Sequence, residues 1–91
     1  MAENNHYKTA NTALATYLQV EGFTLVEIIT QPHAFIQGEL EAVFLFENNQ
    51  KIPDCVRLWQ TGTATGNLPV FYGTYRAIVK KAKRAVEVAR L

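Results

Sequence analysis

This sequence contains one cysteine, Cys55, and only two histidines, His6 and His33. A single cysteine cannot form a disulfide within the chain, and a zinc site needs three or four ligands at close spacing. The sequence therefore predicts no internal disulfide, no metal site and no cofactor.

Long apolar runs are also missing, since the longest have only four or five residues. A membrane-spanning helix needs about 20 such residues. The first six residues, Met-Ala-Glu-Asn-Asn-His, contain neither the basic nor the apolar region of a signal peptide. We expect a cytoplasmic protein that does not bind a membrane.

No catalytic signature is present either. A Cys/His nucleophile pair would require Cys55 to meet His33, but a cysteine beside Val56 in a short helix is typical of a buried thiol. Glu39 and Glu41 would share one face of a strand, where neighbouring acids more often prevent edge-to-edge aggregation. We therefore expect no enzymatic activity, and no small-molecule substrate is evident.

The loop at residues 61–67 is small and polar and leads into a helix, whose first backbone N–H groups could hold a phosphate. The loop lacks the Gly-Lys-Ser/Thr ending of a nucleotide-binding loop, and Pro69 removes one donor. A plain connection is the preferred interpretation. If an anion does bind there, Tyr72 and Arg76 are its expected side-chain contacts.

The composition is that of an ordinary globular domain, with 48% hydrophobic and 19% charged residues. A chain of 91 residues has room for one core. We expect a single α/β domain over residues 9–91, preceded by a flexible N-terminal tail at residues 1–8.

Hydrophobic periodicity predicts five elements in the order α-β-β-α-α. The first helix covers residues 9–22, with Thr9 or Asn11 as its cap, and two strands cover residues 23–30 and about 40–47. The strands are expected to pair as an antiparallel hairpin. The predicted fold class is therefore a small α+β domain in which the hairpin packs against a long C-terminal helix.

Prolines and glycines set the remaining boundaries. Residues 31–38 break the first strand, a short helix starts at Pro53 and stops before Gly62, and Pro69 opens the final helix. On a helical projection, one side of that final helix is apolar and is assigned to the core. Its members are Phe71, Tyr75, Ile78, Val79, Ala82, Ala85, Val86 and Ala89.

The charge of the chain is strongly asymmetric. Residues 76–91 contain six basic residues and one acid, a net charge of about +5, whereas residues 1–75 contain seven acids and three basic residues, about −4. The half of the final helix opposite the core carries an aromatic ring, four cations and one acid, which are Tyr72, Arg76, Lys80, Lys83, Arg84 and Glu87.

Four segments carry a resemblance to a known family. They are YLQVEGF at residues 17–23, VFLFE at 43–47, VRLWQTG at 56–62, and Phe71 followed after three residues by Tyr75-Arg76. The chain resembles a family of short uncharacterised bacterial and phage proteins, a domain of unknown function. In that family a helix ends in Gly-Phe, a hairpin ends in Phe-x-Phe-Glu or Asp, and an aromatic-x-Gly segment precedes a long terminal helix.

The resemblance implies a compact α/β domain that is frequent in mobile elements, without an established activity and without catalytic residues to transfer. This chain departs from the family pattern in a longer hairpin connection, residues 31–39. It also has Gln60-Thr61 between Trp59 and Gly62.

Three interpretations of the basic helix remain open. It is a solvated surface, or it is a nucleic-acid interface formed by Tyr72, Arg76, Lys80, Lys83 and Arg84. In the third interpretation the protein is a protein-interaction module that binds its partner through another surface. Cations on phosphates give affinity that is independent of sequence and sensitive to salt, and a tyrosine can stack on an unpaired base. Our working hypothesis is a non-enzymatic accessory protein of a phage or mobile element that binds nucleic acid weakly through these residues.

The alternative is an inhibitor or scaffold that binds a protein partner, or a second copy of itself, through the edge of the hairpin. Open strand edges can pair with another chain, and Phe35 and Ile36 in the hairpin connection could remain exposed. Trp59 could anchor such an interface, although a lone tryptophan before a glycine is more often part of the core.

Overall fold

A computed structural model describes residues 6–91 of the chain. The elements are β1 (His6–Thr9), α1 (Thr12–Val20), β2 (Leu25–Pro32), β3 (Leu40–Glu47), α2 (Ile52–Gln60) and α3 (Leu68–Ala89). The five predicted elements are all present in the predicted order, and the hairpin packs against the C-terminal helix, so the α+β fold class is confirmed. One strand, β1, was not predicted.

The three strands form one antiparallel sheet in the order β1-β3-β2. β1 runs alongside the second half of β3, with Tyr7 opposite Phe46 and Thr9 opposite Phe44. The predicted flexible tail is therefore wrong for residues 6–8, while residues 1–5 lie outside the described part of the chain. The physical reason is that one apolar residue in a four-residue segment gives no readable alternation, and β3 alone supplies the hydrogen bonds.

Strand β3 occupies the predicted residues and forms the centre of the sheet. Phe44 and Phe46 have no exposed surface and face the helices, while Val43 and Leu45 are buried on the opposite face. This arrangement follows from the two-residue period of a strand.

Strand β2 begins and ends two residues later than predicted. Gln31 pairs with Glu41 and Pro32 with Leu40, so the strand continues to its proline. A proline is tolerated there because β2 is an edge strand and Pro32 is its last residue. The pairing shifts register near Val26, which is 46% exposed.

Helix α1 lies in the middle of the helical layer. The Asn11 side chain, one of the two predicted caps, accepts a hydrogen bond from the Leu14 N–H at 3.0 Å. Gly22 adopts a φ of +103° and ends the helix. Its N–H donates to Gln19 O, and the next N–H donates to Leu18 O, at 3.0 and 3.1 Å. This pattern is a Schellman motif, which requires the left-handed conformation that glycine adopts without strain.

Helix α2 packs against α1, and α3 crosses both α1 and the sheet. α2 ends in a second Schellman motif at Gly62, with φ +75°. The Asn67 side chain caps α3 by accepting from the Val70 N–H at 3.1 Å. Ile78 is the buried centre of α3, and it completes a core shared by α1, α3 and the inner face of the sheet. Among the helices of residues 6–91, none is long and apolar enough to cross a membrane.

Candidate nucleic-acid interface

The outer face of α3 is defined here as Tyr72, Arg76, Lys80, Lys83 and Arg84. All five side chains are exposed, as expected for the half of an amphipathic helix that faces away from the core. They extend over thirteen residues, or about 18 Å of helix. The helix is a rigid element, so the spacing of its charges is fixed by the backbone rather than by a loop.

The four cations of this face form no ion pairs with the described residues. Within residues 6–91 the ion pairs are Arg57 with Asp54 and Arg90 with Glu39. Arg90 is thereby connected to the hairpin connection, and its charge is partly neutralised. The cations that stay available on the outer face are those of Arg76, Lys80, Lys83 and Arg84.

Tyr72 and Arg76 are brought together by the four-residue spacing. The Arg76 guanidinium carbon lies 5.8 Å from the centroid of the Tyr72 ring, within cation–π range. Tyr72 nevertheless remains 62% exposed. The ring is therefore oriented by its neighbour and still presents an aromatic surface to solvent.

Lys83 and Arg84 are adjacent in sequence but line different grooves on the two sides of α3. Lys83 lines a groove of about 600 Å³ between α3 and the end of the hairpin. Arg84 lines a second groove, of about 630 Å³, between α3 and β2, together with Lys81 and Val88. Lys80 lines neither groove. The outer face is therefore a broad strip with one cation on each flank.

The groove beside Lys83 also contains acids. Glu87 lies on α3, while Glu39 and Glu41 come from the hairpin. Glu39 accepts from Arg90, and Glu41 accepts from the Gln31 side-chain amide at 2.7 Å. Both hairpin carboxylates thus have partners, but Glu39 precedes β3 and β3 is the central strand, so the expected place of this acidic pair on an exposed strand edge is wrong.

His33 and Cys55 occupy different surroundings. The His33 Nδ1 accepts hydrogen bonds from the backbone N–H groups of Phe35 and Ile36, at 3.1 and 3.2 Å. Cys55 packs against the core. Burial raises the pKa of the Cys55 thiol, and Glu21 and Asp54 raise it further against the opposing effect of Lys51. The described residues contain no group of three or more potential metal ligands.

Sequence reasoning missed a row of aromatic rings across the three helices. Tyr17 stacks on Trp59 at 5.5 Å between ring centroids, Trp59 on Phe71 at 6.2 Å, and Phe71 on Tyr75 at 6.3 Å. The rings come from α1, α2 and α3. The four-residue spacing of the last two was visible in the sequence, but the convergence with the other helices was not.

A cleft of about 250 Å³ opens beside this row. Tyr17, Val20, Trp59 and Phe71 form its walls, and residues 64–68 form its rim. Burial raises the pKa of the Tyr17 phenol, so this wall is uncharged at neutral pH. The cleft is apolar and lies at the N-terminal end of the helix that carries the outer face.

A family model described as a domain of unknown function, DUF5659, matches residues 4–84. The chain belongs to this family. The match confirms the resemblance to a domain of unknown function, whereas the bacterial or phage origin stays a prediction. The DUF5659 match includes every residue of the outer face and of the aromatic cleft. No curated protein and no solved structure matches the chain.

Proposed function

We propose that this DUF5659 domain binds nucleic acid weakly through the outer face of α3. The observation that carries the proposal is a set of four cations on one exposed helix face, none of them paired with an acid of the described residues. Cations without an acidic partner can bind phosphates and displace the counterions held by the nucleic acid. That release is the main source of sequence-independent affinity.

The exposed Tyr72 ring favours the binding of single strands over the binding of duplexes. Unpaired bases can stack on an exposed aromatic side chain, and every base offers a face for such stacking. The neighbouring guanidinium of Arg76 covers part of the ring and could itself contact a phosphate. A strand lying on α3 would therefore meet a stacking surface and a cation within one helical turn.

The expected affinity is low. Six basic residues among the last sixteen of the chain are offset by acids elsewhere, and the pI of about 7.9 is below the usual range of dedicated nucleic-acid-binding domains. A weak, salt-sensitive binder suits an accessory protein that acts near nucleic acid in the cytoplasm without catalysis. The resemblance to short bacterial and phage proteins suits such a role in a mobile element.

Two triple variants test this proposal. Replacing Arg76, Lys80 and Lys83 with alanine should remove most of the affinity for a single-stranded oligonucleotide at low salt. The matched control replaces the basic residues outside α3 with alanine, which are Lys8, Lys51 and Arg57. Both variants lose three positive charges, so equal losses of affinity would contradict the assignment of the interface to α3. Circular dichroism of both variants verifies the fold.

A protein partner is the second candidate, because both outer strands of the sheet have one open edge. The β2 edge is eight residues long, and the adjoining connection exposes Phe35 by 92% and Ile36 by 54%. Such an edge can add a strand from another chain. This alternative predicts a stable oligomer by light scattering, with an affinity that salt does not change.

A further inference from the structure

The aromatic cleft has the properties of a small-ligand site rather than of a packing defect. Its volume of about 250 Å³ is slightly below the usual range for ligand pockets, about 300–1,000 Å³. Trp59 stacks on Phe71 with ring planes 17° apart, and both rings line the cleft with Tyr17 and Val20. A cleft of this size fits one flat ring system.

The rim of the cleft supplies a few polar groups. It contains Thr65, Gly66 and Asn67, and the Asn67 side-chain oxygen is engaged in capping α3. Among the described residues, the N–H groups of these three residues form no hydrogen bond with another backbone group. The rim can therefore form hydrogen bonds with the edge of a polar ring.

The mouth of the cleft continues into the outer face of α3. Leu68 borders the cleft and is 77% exposed. Residues four apart are neighbours on a helix surface, so Tyr72 follows Leu68 and Arg76 follows Tyr72. An occupant that leaves the cleft over Leu68 would next meet an aromatic ring and then a cation.

Charge complementarity identifies the occupant. The side chains that line the cleft carry no charge, whereas the adjoining helix face carries four cations. The arrangement is complementary to a molecule with an uncharged aromatic ring attached to an anionic chain. Resting on the proposed function, we propose that the cleft receives one base of a single-stranded nucleic acid whose phosphates follow the outer face of α3.

The sole tryptophan of the chain makes this proposal directly measurable, because Trp59 forms a wall of the cleft. Titration with an oligothymidylate of about 12 nucleotides, within the site size of single-strand binders, should change Trp59 emission. An abasic oligomer of equal length and charge should bind about fivefold or more weakly, because it lacks the stacking base, and should leave the emission unchanged.

Anisotropy of labelled oligomers distinguishes binding to the outer face of α3 from binding of a base in the cleft. If oligothymidylate binds but leaves Trp59 emission unchanged, the cleft is not a base site and the interface on α3 still stands. If neither oligomer binds at low salt, the proposed function fails and the base site fails with it. If thymidine monophosphate binds as tightly as the oligomer, the occupant is a free nucleotide and the strand assignment is overturned.

A pair of variants locates the base. Leu68→Gln makes the mouth of the cleft polar without changing the charge. It should weaken oligothymidylate binding and reduce the change in Trp59 emission, while stacking on Tyr72 keeps the affinity above that of the abasic oligomer. Val70→Gln is the matched control, because Val70 is 51% exposed in the same turn of α3 and does not line the cleft. Equal effects of the two substitutions would overturn the proposal.

Discussion

The affinity of this domain for single-stranded DNA should fall steeply with salt, because the proposed contacts are cations on phosphates. Each phosphate neutralised on a single strand contributes about −0.7 to the slope of log affinity against log salt. With Arg76, Lys80, Lys83 and Arg84 all engaged, the slope should be about −2.8. Between about 50 and 200 mM salt, the affinity should then decrease about 50-fold.

The variant lacking the first three of these cations retains Arg84 alone on the outer face. Its slope should be about −0.7, and its residual affinity should decrease only about threefold over the same range. The variant lacking Lys8, Lys51 and Arg57 should keep the steep slope of the native protein. Fluorescence anisotropy of a labelled oligothymidylate measures all three slopes. A flat native profile, or equal flattening in the control variant, would show that these four cations do not bind the phosphates.

The remaining predictions concern the fold and its one thiol. Gly73 lies inside α3, and a Cβ there would meet no atom within 4 Å, so Gly73→Ala should stabilise the domain. The gain should be about 0.5–1 kcal/mol. Gly62→Ala should instead lower the free energy of unfolding by about 1 kcal/mol, because the φ of Gly62 is positive. Thermal melts in which both substitutions shift the melting temperature in the same direction would contradict this. Because burial raises the pKa of the Cys55 thiol, iodoacetamide should alkylate the folded protein more slowly than the urea-unfolded protein at pH 8. A faster reaction of the folded protein would instead indicate an activated nucleophile. The unfolded thiol ionises first, so the free energy of unfolding should decline as pH rises from about 8.5 through the raised native pKa, which urea titrations across pH can follow. Phe46→Ala should cost about 3–5 kcal/mol in urea unfolding, whereas Phe35→Ala, at a 92% exposed residue, should change stability by less than about 0.5 kcal/mol.

The sequence was most informative where a long segment repeated one period. Strand β3 is a mostly apolar segment bounded by polar residues, and α3 keeps its apolar side over six turns, so both were predicted close to their observed bounds. The Schellman ends of α1 and α2 were also readable, because glycine follows each apolar repeat. These features depend on local conformation, which the local sequence encodes.

The missed features depend on residues that are distant in the chain. Strand β1 contains a single apolar residue, Tyr7, and exists because β3 offers it an open edge. The separation of Lys83 from Arg84 was also missed. A helical projection gives the direction of each side chain but not the groove into which it points. The aromatic row required three helices to converge, which no single segment could indicate.

The pairing of β1 with β3 has a consequence for the order in which the molecule folds. Tyr7 and Phe46 are separated in the chain by α1 and β2, so their contact closes a long loop. Contacts of high sequence separation are slow to form, whereas β2 and β3 are joined by a short connection. We therefore expect the hairpin and α1 to form first and β1 to dock last. The amides of β1 should then exchange with solvent faster than those of β3, because this four-residue edge strand would be the first part of the sheet to open.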